Sequence, residues 1–282
     1  MKRSGRIATM VKIFTDNPNQ IFTLNHFCKI FDCAKSTISE DINIIRNSFL
    51  ETEQGNIITI PGPAGGVKFT THVDKKKCDN VQDRLALELN KPFRFLGGGF
   101  LYTSDIMFNP SFIYEMASIF ANIFENRQAD YVVTIETKGI PLALMTAKLL
   151  NIPTVVVRRE PRISEGPTIS INYFSGSAGR MQKMSVSKKS VIPGSKALII
   201  DDFMRAGGSI KGIYELLSEL DVEVCGVGVA IASIFPEAKK ISQYDALVYM
   251  GEVNEKTLHA DIMPNLEISK KFIDCKFSDN SI

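Results

Sequence analysis

Apolar positions near the amino terminus recur at helical spacing. Ile7, Met10, Val11 and Phe14 share one face, and Asn17-Pro18 ends the run. Thr23 is placed to cap a second helix that turns Leu24, Phe27, Ile30 and Phe31 inward. A third helix runs through AKSTISEDINIIRNSF, with Ile38, Ile42, Ile45 and Phe49 on one side. Thr37-Ile38-Ser39-Glu40 has the form of a capping box at its start. NIITIP, the turn-rich GPAGG and VKFT then predict a β-hairpin with a glycine-rich tip. DKKKCDN, from Asp74 to Asn80, is polar and charged, and reads either as a linker or as the solvated start of a further helix.

From residue 131 onward the pattern alternates. YVVTI is a strand, and TKGIP turns into the helix PLALMTAKLLN, whose Pro141 suits a first turn. TVVVRR is the next strand. Between Glu160 and Ser190 the chain becomes polar, with two possible strands, ISINYF and QKMSVS. ALIIDD is a strand, SIKGIYELLSEL a helix, and VEVCGVGVAIAS and ALVYM the last strands. Such alternation predicts an α/β domain with a mainly parallel sheet. The expected division is residues 1–74 and 75–282.

Composition narrows this picture little. A chain of 282 residues suits two domains or one large one, and 44% hydrophobic residues suffice for a packed core. The net charge of +2 creates no global field, so a nucleic-acid or membrane role must rest on local patches. Cys28, Cys33, Cys78, Cys225 and Cys275 are odd in number and scattered, as in a reduced cytosolic set rather than a disulfide framework. His26, His72 and His259 are far apart, which argues against a Ser-His-Asp or histidine-metal site. No apolar run approaches the ~20 residues of a membrane span, and MKRSGRIATM lacks a signal-peptide core. A cytoplasmic location is expected.

Candidate chemistry concentrates in ALIIDDFMRAGGSI, from Ala197 to Ile210. A strand ending in Asp201-Asp202 puts carboxylates at the carboxyl edge of the sheet, where open α/β sheets bind ligands. Adjacent carboxylates accept hydrogen bonds from a ribose diol or hold a hydrated Mg²⁺. In Arg205-Ala206-Gly207-Gly208-Ser209, glycines permit close backbone approach, and amides at a helix start bind phosphate. The stretch reads as a ribose-phosphate cradle, with ordinary helix capping as the alternative. Thr137-Lys138-Gly139 occupies another strand-to-helix turn, where a surface lysine is also common. Arg158, Arg159, Arg162, Arg180, Lys183, Lys188 and Lys189 face only Glu160 and Glu165 in their segment. That excess favours a polyanionic ligand, or else a solvated basic loop.

Three helices followed by a hairpin form a winged helix-turn-helix pattern, whose third helix enters the major groove. Lys35, Ser36, Thr37 and Ser39 lie at its beginning, where short polar side chains reach phosphates or base edges. Lys2, Arg3, Arg6 and Lys12 supply a positive start without an acid, and Gly62 to Lys68 would be the wing. Glu40 and Asp41 would repel phosphate if they pointed towards it. Helical trios also serve as oligomerisation caps.

ALIIDDFMRAGGSI resembles the phosphoribosyl-pyrophosphate (PRPP) loop of type I phosphoribosyltransferases, with Ser209 where members usually carry Thr. The resemblance implies that Asp201 and Asp202 hold the ribose hydroxyls. It implies that Phe203, Met204, Arg205, Ala206, Gly207, Gly208 and Ser209 form the loop, with amides near Ala206 to Ser209 and the Ser209 hydroxyl on the 5′-phosphate. Thr137, Lys138 and Gly139 would hold the pyrophosphate, and the basic segment would be the family's flexible hood.

RSGRI, KSTISEDINIIRNSF, PGPAGGVKF, GGGFLY, TKGIP, EGPTISINYFSGS and LIIDDFMRAGGSI occur in that order. Across nearly the whole chain they resemble the purine operon repressors of Gram-positive bacteria. The resemblance implies an α/β chain built as an N-terminal winged helix-turn-helix domain and a Rossmann-like, phosphoribosyltransferase-like domain. It implies a homodimeric repressor of purine biosynthesis genes, a sensor rather than an enzyme. PRPP, with Mg²⁺ left open, would release it from double-stranded operator DNA, and guanosine tetraphosphate would compete for the pocket. DNA contacts would come from Lys2, Arg3, Arg6, Lys35, Ser36, Thr37, Ser39 and Lys68. Tyr102 would stack on a base or be a core tyrosine, and Phe203 would stack on guanine or simply pack. No catalytic cofactor, metal site or membrane contact is expected. The PRPP loop also fits a catalytically active purine phosphoribosyltransferase with an accessory domain, and an activator or RNA-binding regulator would share the same sensor.

Overall fold

A computed structural model of the chain describes residues 1–96, 100–160, 166–175, 180–254, 256–257 and 259–272. It forms two units, Met1–Val73 with Lys148–Asn151, and Asp74–Ala147 with Ile152–Ile282.

In the first unit, α1 (Arg3–Asp16), α2 (Leu24–Phe31) and α3 (Lys35–Glu51) precede the hairpin β1 (Asn56–Ile60) and β2 (Gly66–Thr70). Met10, Phe14, Phe27, Ile38, Ile42 and Ile45 are buried together with Ile57, Val67 and Phe69 of the hairpin. The Phe14 ring meets those of Phe22 and Phe27 edge-on at 5.9 and 5.3 Å between centroids, a favoured aromatic geometry. Phe22 adds a short third strand, exchanging two backbone hydrogen bonds of 2.8 Å with Val67. Thr23 caps α2 by accepting from the His26 amide at 3.2 Å.

Two local expectations are corrected. Ile30 is 48% exposed, because the buried stripe of the short α2 centres on Phe27 and Phe31 and leaves Ile30 at its edge. Helix α3 begins earlier than the expected capping box. Ala34 occupies the cap position without a side-chain bond, so Thr37 to Glu40 lie inside the helix.

The second unit opens with α4 (Lys75–Leu89), α5 (Ser104–Met107) and α6 (Pro110–Phe124). DKKKCDN is therefore the start of α4 rather than a linker; Asp74 caps it by accepting from the Lys77 amide at 2.6 Å. β3 (Tyr131–Ile135), α7 (Ile140–Leu150), β4 (Thr154–Val157), β5 (Thr168–Ser175) and β6 (Arg180–Ser187) follow. The chain continues with β7 (Lys196–Met204), α8 (Gly208–Ser218), β8 (Glu223–Ser233), β9 (Asp245–Met250), β10 (Ile262–Pro264) and α9 (Leu266–Lys270).

The main sheet has the order β10-β9-β8-β7-β3-β4. All its pairings are parallel except the edge strand β10, which pairs antiparallel with β9. β3 and β7 are neighbours, with Val133 opposite Ile199, so both strands deliver their carboxyl ends to one edge. β5 and β6 form a separate antiparallel hairpin from Thr168 opposite Ser187 to Ser175 opposite Arg180. The hairpin lies directly on α8. A Cβ at Gly212 would stand 2.6 Å from Met184 Cε and 3.0 Å from Tyr173 Cβ, so only glycine permits this contact. Backbone bonds of 2.8 and 2.7 Å between Arg158 and Ser185 tie the end of β4 to β6. No helix among the described residues is long and apolar enough to cross a membrane.

Candidate functional site

The adjacency of β3 and β7 decides where the chemistry gathers. Both strands end in strand-to-helix turns, so TKG and DDFMRAGGS meet at one sheet edge, the usual ligand position in open α/β sheets. A cavity of about 380 Å³ is lined there by Ile135, Glu136, Thr137, Lys138, Arg159, Asp201, Asp202, Phe203 and Ser209. A smaller concavity of about 60 Å³ is lined by Phe203 to Ile210 alone. The Glu136–Thr137 peptide is cis.

Asp201 is buried, and its Oδ1 accepts the Asp202 amide at 3.0 Å. Burial, and then the neighbouring Asp202 charge, push the Asp201 carboxyl well above its ordinary range. Burial also raises Asp202, against a bond from the Asp201 side chain and the charge of Lys138. Neither acid forms an ion pair among the described residues. Gly139 fits against this pair only because it lacks a side chain: a Cβ there would collide with Asp201 Oδ1 and Thr134 Oγ1. Thr134 Oγ1 is itself buried with no hydrogen-bond partner among the described residues.

Helix α8 starts at Gly208 without a side-chain cap, leaving first-turn amides for an anion. Ser209 sits in that turn and lines both concavities. The Met204 side chain is buried in the core and Arg205 is exposed, and both residues line the smaller concavity. Lys138 Nζ donates to Thr103 Oγ1 at 3.3 Å. Tyr102, 40% exposed, precedes that threonine but does not line the cavity. Arg162, Glu165, Cys275 and the glycines at 97–99 lie outside the described residues.

Glu136 and Arg159 join the site although the motifs did not name them as pocket residues. Glu136 Oε1 accepts the Arg159 amide at 2.8 Å, and Oε2 accepts Arg158 Nη1 at 3.4 Å. Glu136 ends the same strand edge as Thr137, so strand register alone could have included it.

The first unit has its own concavity of about 450 Å³ between the starts of α2 and α3 and the hairpin. Lys35 and Ser39 line it with Asn25, Asn43, Arg46 and Thr59. Arg46 joins α3 to the hairpin, donating to Ile57 O at 3.0 Å, Asn43 Oδ1 at 2.6 Å and Thr59 Oγ1 at 2.9 Å. Ser36 and Thr37 share the helix start without lining the concavity.

The positive start of the chain is used differently from the expectation. Arg3 and Arg6 each donate through Nε to the fully buried Asp41 at 2.9 Å, joining α1 to α3. The Arg6 side chain is only 12% exposed, so its guanidinium is committed to the interior. Asp41 is thereby turned inward, away from any phosphate. Lys68 Nζ donates to Asn19 Oδ1 at 2.7 Å and does not line the concavity. Lys2 is exposed and Lys12 pairs with Asp16 one turn on.

Residues 2–71 match the family described as bacterial purine repressor, N-terminal, and residues 103–259 match the phosphoribosyl transferase domain. The chain is 39% identical to the purine biosynthesis transcriptional repressor PurR of Bacillus subtilis, over 93% of this chain and 92% of that protein. It belongs to the bacterial purine repressor family. Another member of this purine repressor family, the purine biosynthesis transcriptional activator PurR of Lactococcus lactis, is 36% identical over 93% of this chain and 97% of its own. The second unit shares its fold with adenine phosphoribosyltransferase of Rhodothermus marinus, at a TM-score of 0.51 and 19% identity, over 61% of this chain and 99% of that one. As the sequence pattern predicts, this purine repressor family chain joins a DNA-binding domain to a phosphoribosyltransferase fold.

Proposed function

We propose that the chain is a cytoplasmic, homodimeric, DNA-binding transcriptional repressor of purine biosynthesis genes, and that PRPP releases it from operator DNA. The observation that carries the effector assignment is the buried Asp201 beside the half-buried Asp202, neither in an ion pair among the described residues, next to an uncapped helix start. Buried carboxylates without partners are costly, and a ribose diol would satisfy them with two donors. The first-turn amides of α8 and the Ser209 hydroxyl take the 5′-phosphate. Thr137, Lys138 and Gly139 take the diphosphate, with Arg159 adding charge. Guanosine tetraphosphate, also carrying diphosphates, competes for these groups.

Should Mg²⁺ accompany PRPP, the Asp pair and the ligand oxygens would hold it and screen their mutual charge. No group of three or more His, Cys, Asp or Glu side chains gathers among the described residues.

PRPP changes DNA binding only through a difference in its affinity for two states of the protein. Its charge bears on the basic hairpin segment, whose rearrangement or neutralisation would alter the surface offered to DNA. Operator contact falls to the concavity holding Lys35 and Ser39, bounded by the wing.

A gel shift on the chain's own upstream DNA, with and without PRPP, tests this. Asp202→Ala should keep operator affinity and need roughly 10- to 100-fold more PRPP for release, since charge-assisted hydrogen bonds contribute ~1.5–3 kcal/mol each. Release of Asp202→Ala at the wild-type PRPP concentration would refute the assignment.

The Lactococcus lactis relative, named an activator, supports a second reading in which the same sensor drives activation. Reporter output from a purine promoter in a deletion strain separates the two signs. The match to the phosphoribosyl transferase domain supports an active transferase, which consumption of PRPP with guanine, hypoxanthine or xanthine would establish.

A further inference from the structure

A turn that aims its amides into a concavity turns carbonyls the other way, and those carbonyls need donors. Here the donors come from one short segment beyond β8. Lys239 Nζ donates to Arg205 O at 2.7 Å, to Ser233 O at 2.6 Å and to Ile234 O at 3.2 Å. An ammonium has three donors, and all three are used on backbone carbonyls. The next residue continues the seam, with the Lys240 amide donating to Ala206 O at 2.8 Å. Ile241 follows against Gly207, where an added Cβ would stand 3.1 Å from Ile241 Cγ1. Three consecutive residues thus back three consecutive residues of the loop. The Lys240 ammonium lies 4.9 Å from the centroid of the Phe174 ring on β5, within cation–π range.

We propose that Lys239 is a positioning residue that presents the Arg205–Ser209 loop to the 5′-phosphate, and that Lys240 couples this loop to the β5–β6 hairpin. The inference rests on the reading that the Asp201-Asp202 pocket takes PRPP. Lys239 sits on the carbonyl side of the loop, where its charge polarises the peptide units and strengthens their amides as donors to an anion. Lys240 is exposed, so its ammonium remains free to exchange the Phe174 ring for another partner when the hairpin shifts.

Titration calorimetry on the full chain, using PRPP, ribose 5-phosphate and inorganic pyrophosphate as separate probes, tests the first role, and a gel shift on operator DNA with increasing PRPP tests the second. Lys239→Met should weaken PRPP and ribose 5-phosphate about tenfold, or ~1.4 kcal/mol. It should leave pyrophosphate unchanged, because that probe is held by the Thr137–Gly139 turn and Arg159, which Lys239 does not touch. Lys239→Arg should recover part of the loss. Lys240→Met should keep PRPP affinity within about twofold while raising the PRPP concentration that releases operator DNA about fivefold, a shift of ~1 kcal/mol.

Unchanged ribose 5-phosphate binding in Lys239→Met overturns the positioning role, as does an equal loss for pyrophosphate. Unchanged release in Lys240→Met overturns the coupling. If Lys239→Met does not fold, Lys239→Gln keeps a donor for the carbonyls and carries the same comparison between probes. Wild-type protein that binds none of the three would instead sink the PRPP reading, and this inference with it.

Discussion

Two buried acidic sites, one in each unit, solve the same problem in opposite ways. Asp41 in the first unit is fully buried and held by Arg3 and Arg6 at 2.9 Å each. Its charge is met within the fold, and the result is a joint between α1 and α3. Asp201 in the second unit is 5% exposed, accepts the amide of its neighbour, and forms no ion pair among the described residues. Its charge is unmet, and burial pushes its carboxyl upward. Burial with a partner makes scaffold, whereas burial without one is the feature on which the proposed ligand site rests.

The sharpest way to break the comparison is to remove the satisfied acid. Asp41→Ala leaves Arg6 without its partner and should cost about 3 kcal/mol, the low end for a broken buried pair because Arg3 is half exposed. Chemical denaturation would measure it, and operator binding should fall as α3 loses its brace. Loss below ~1 kcal/mol, the range of surface pairs, would make Asp41 no more than one of them.

Next is the glycine that lets the unmet acid exist. Gly139→Ala forces a methyl into Asp201 and Thr134, a strain of ~1–3 kcal/mol. PRPP response should weaken tenfold or more, with operator affinity unchanged.

The smallest effect is also the most diagnostic. The folded pKa of Asp201 lies above its ordinary value of 3.8, so the folded chain keeps a proton that the unfolded chain releases. Its stability therefore falls as pH rises from about 3.8 through the folded value, and above that the cost is fully present. Asp201→Asn removes the charge and keeps the acceptor for the Asp202 amide. The variant should melt higher than wild type at pH 7, with the gap closing towards pH 3, while losing PRPP. Equal melting temperatures at pH 7 would mean the acid carries no such cost.

Much of this was legible beforehand. The helical spacing of Met10 and Phe14, or of Ile38, Ile42 and Ile45, names the first core correctly. ALIIDD followed by small residues identifies β7, its loop and α8. What escaped depends on residues far apart in sequence. Nothing near Asp41 announces that two arginines 35 and 38 positions away will close on it. Nothing near Arg205 points to Lys239, 34 residues later. Local patterns were also misleading or silent in places. Helix α6, PSFIYEMASIFANIF, buries Phe112, Ile113, Met116, Ala117, Phe120 and Phe124 and leaves Ser111 and Tyr114 exposed, a stripe that went unread in the sequence. In α4 the lysines fill the first turn, and the buried sequence of Cys78, Val81, Leu85 and Leu89 begins only inside the apparent linker.

The backbone-close seat of the hairpin on α8 limits how the two can part. With Tyr173 and Met184 nested over Gly212, sliding along the helix would drive them into neighbouring side chains. The Arg158–Ser185 bonds pin the hairpin at its base. What remains is a tilt about the Gly212 contact, a pivot whose position is set by a missing methyl.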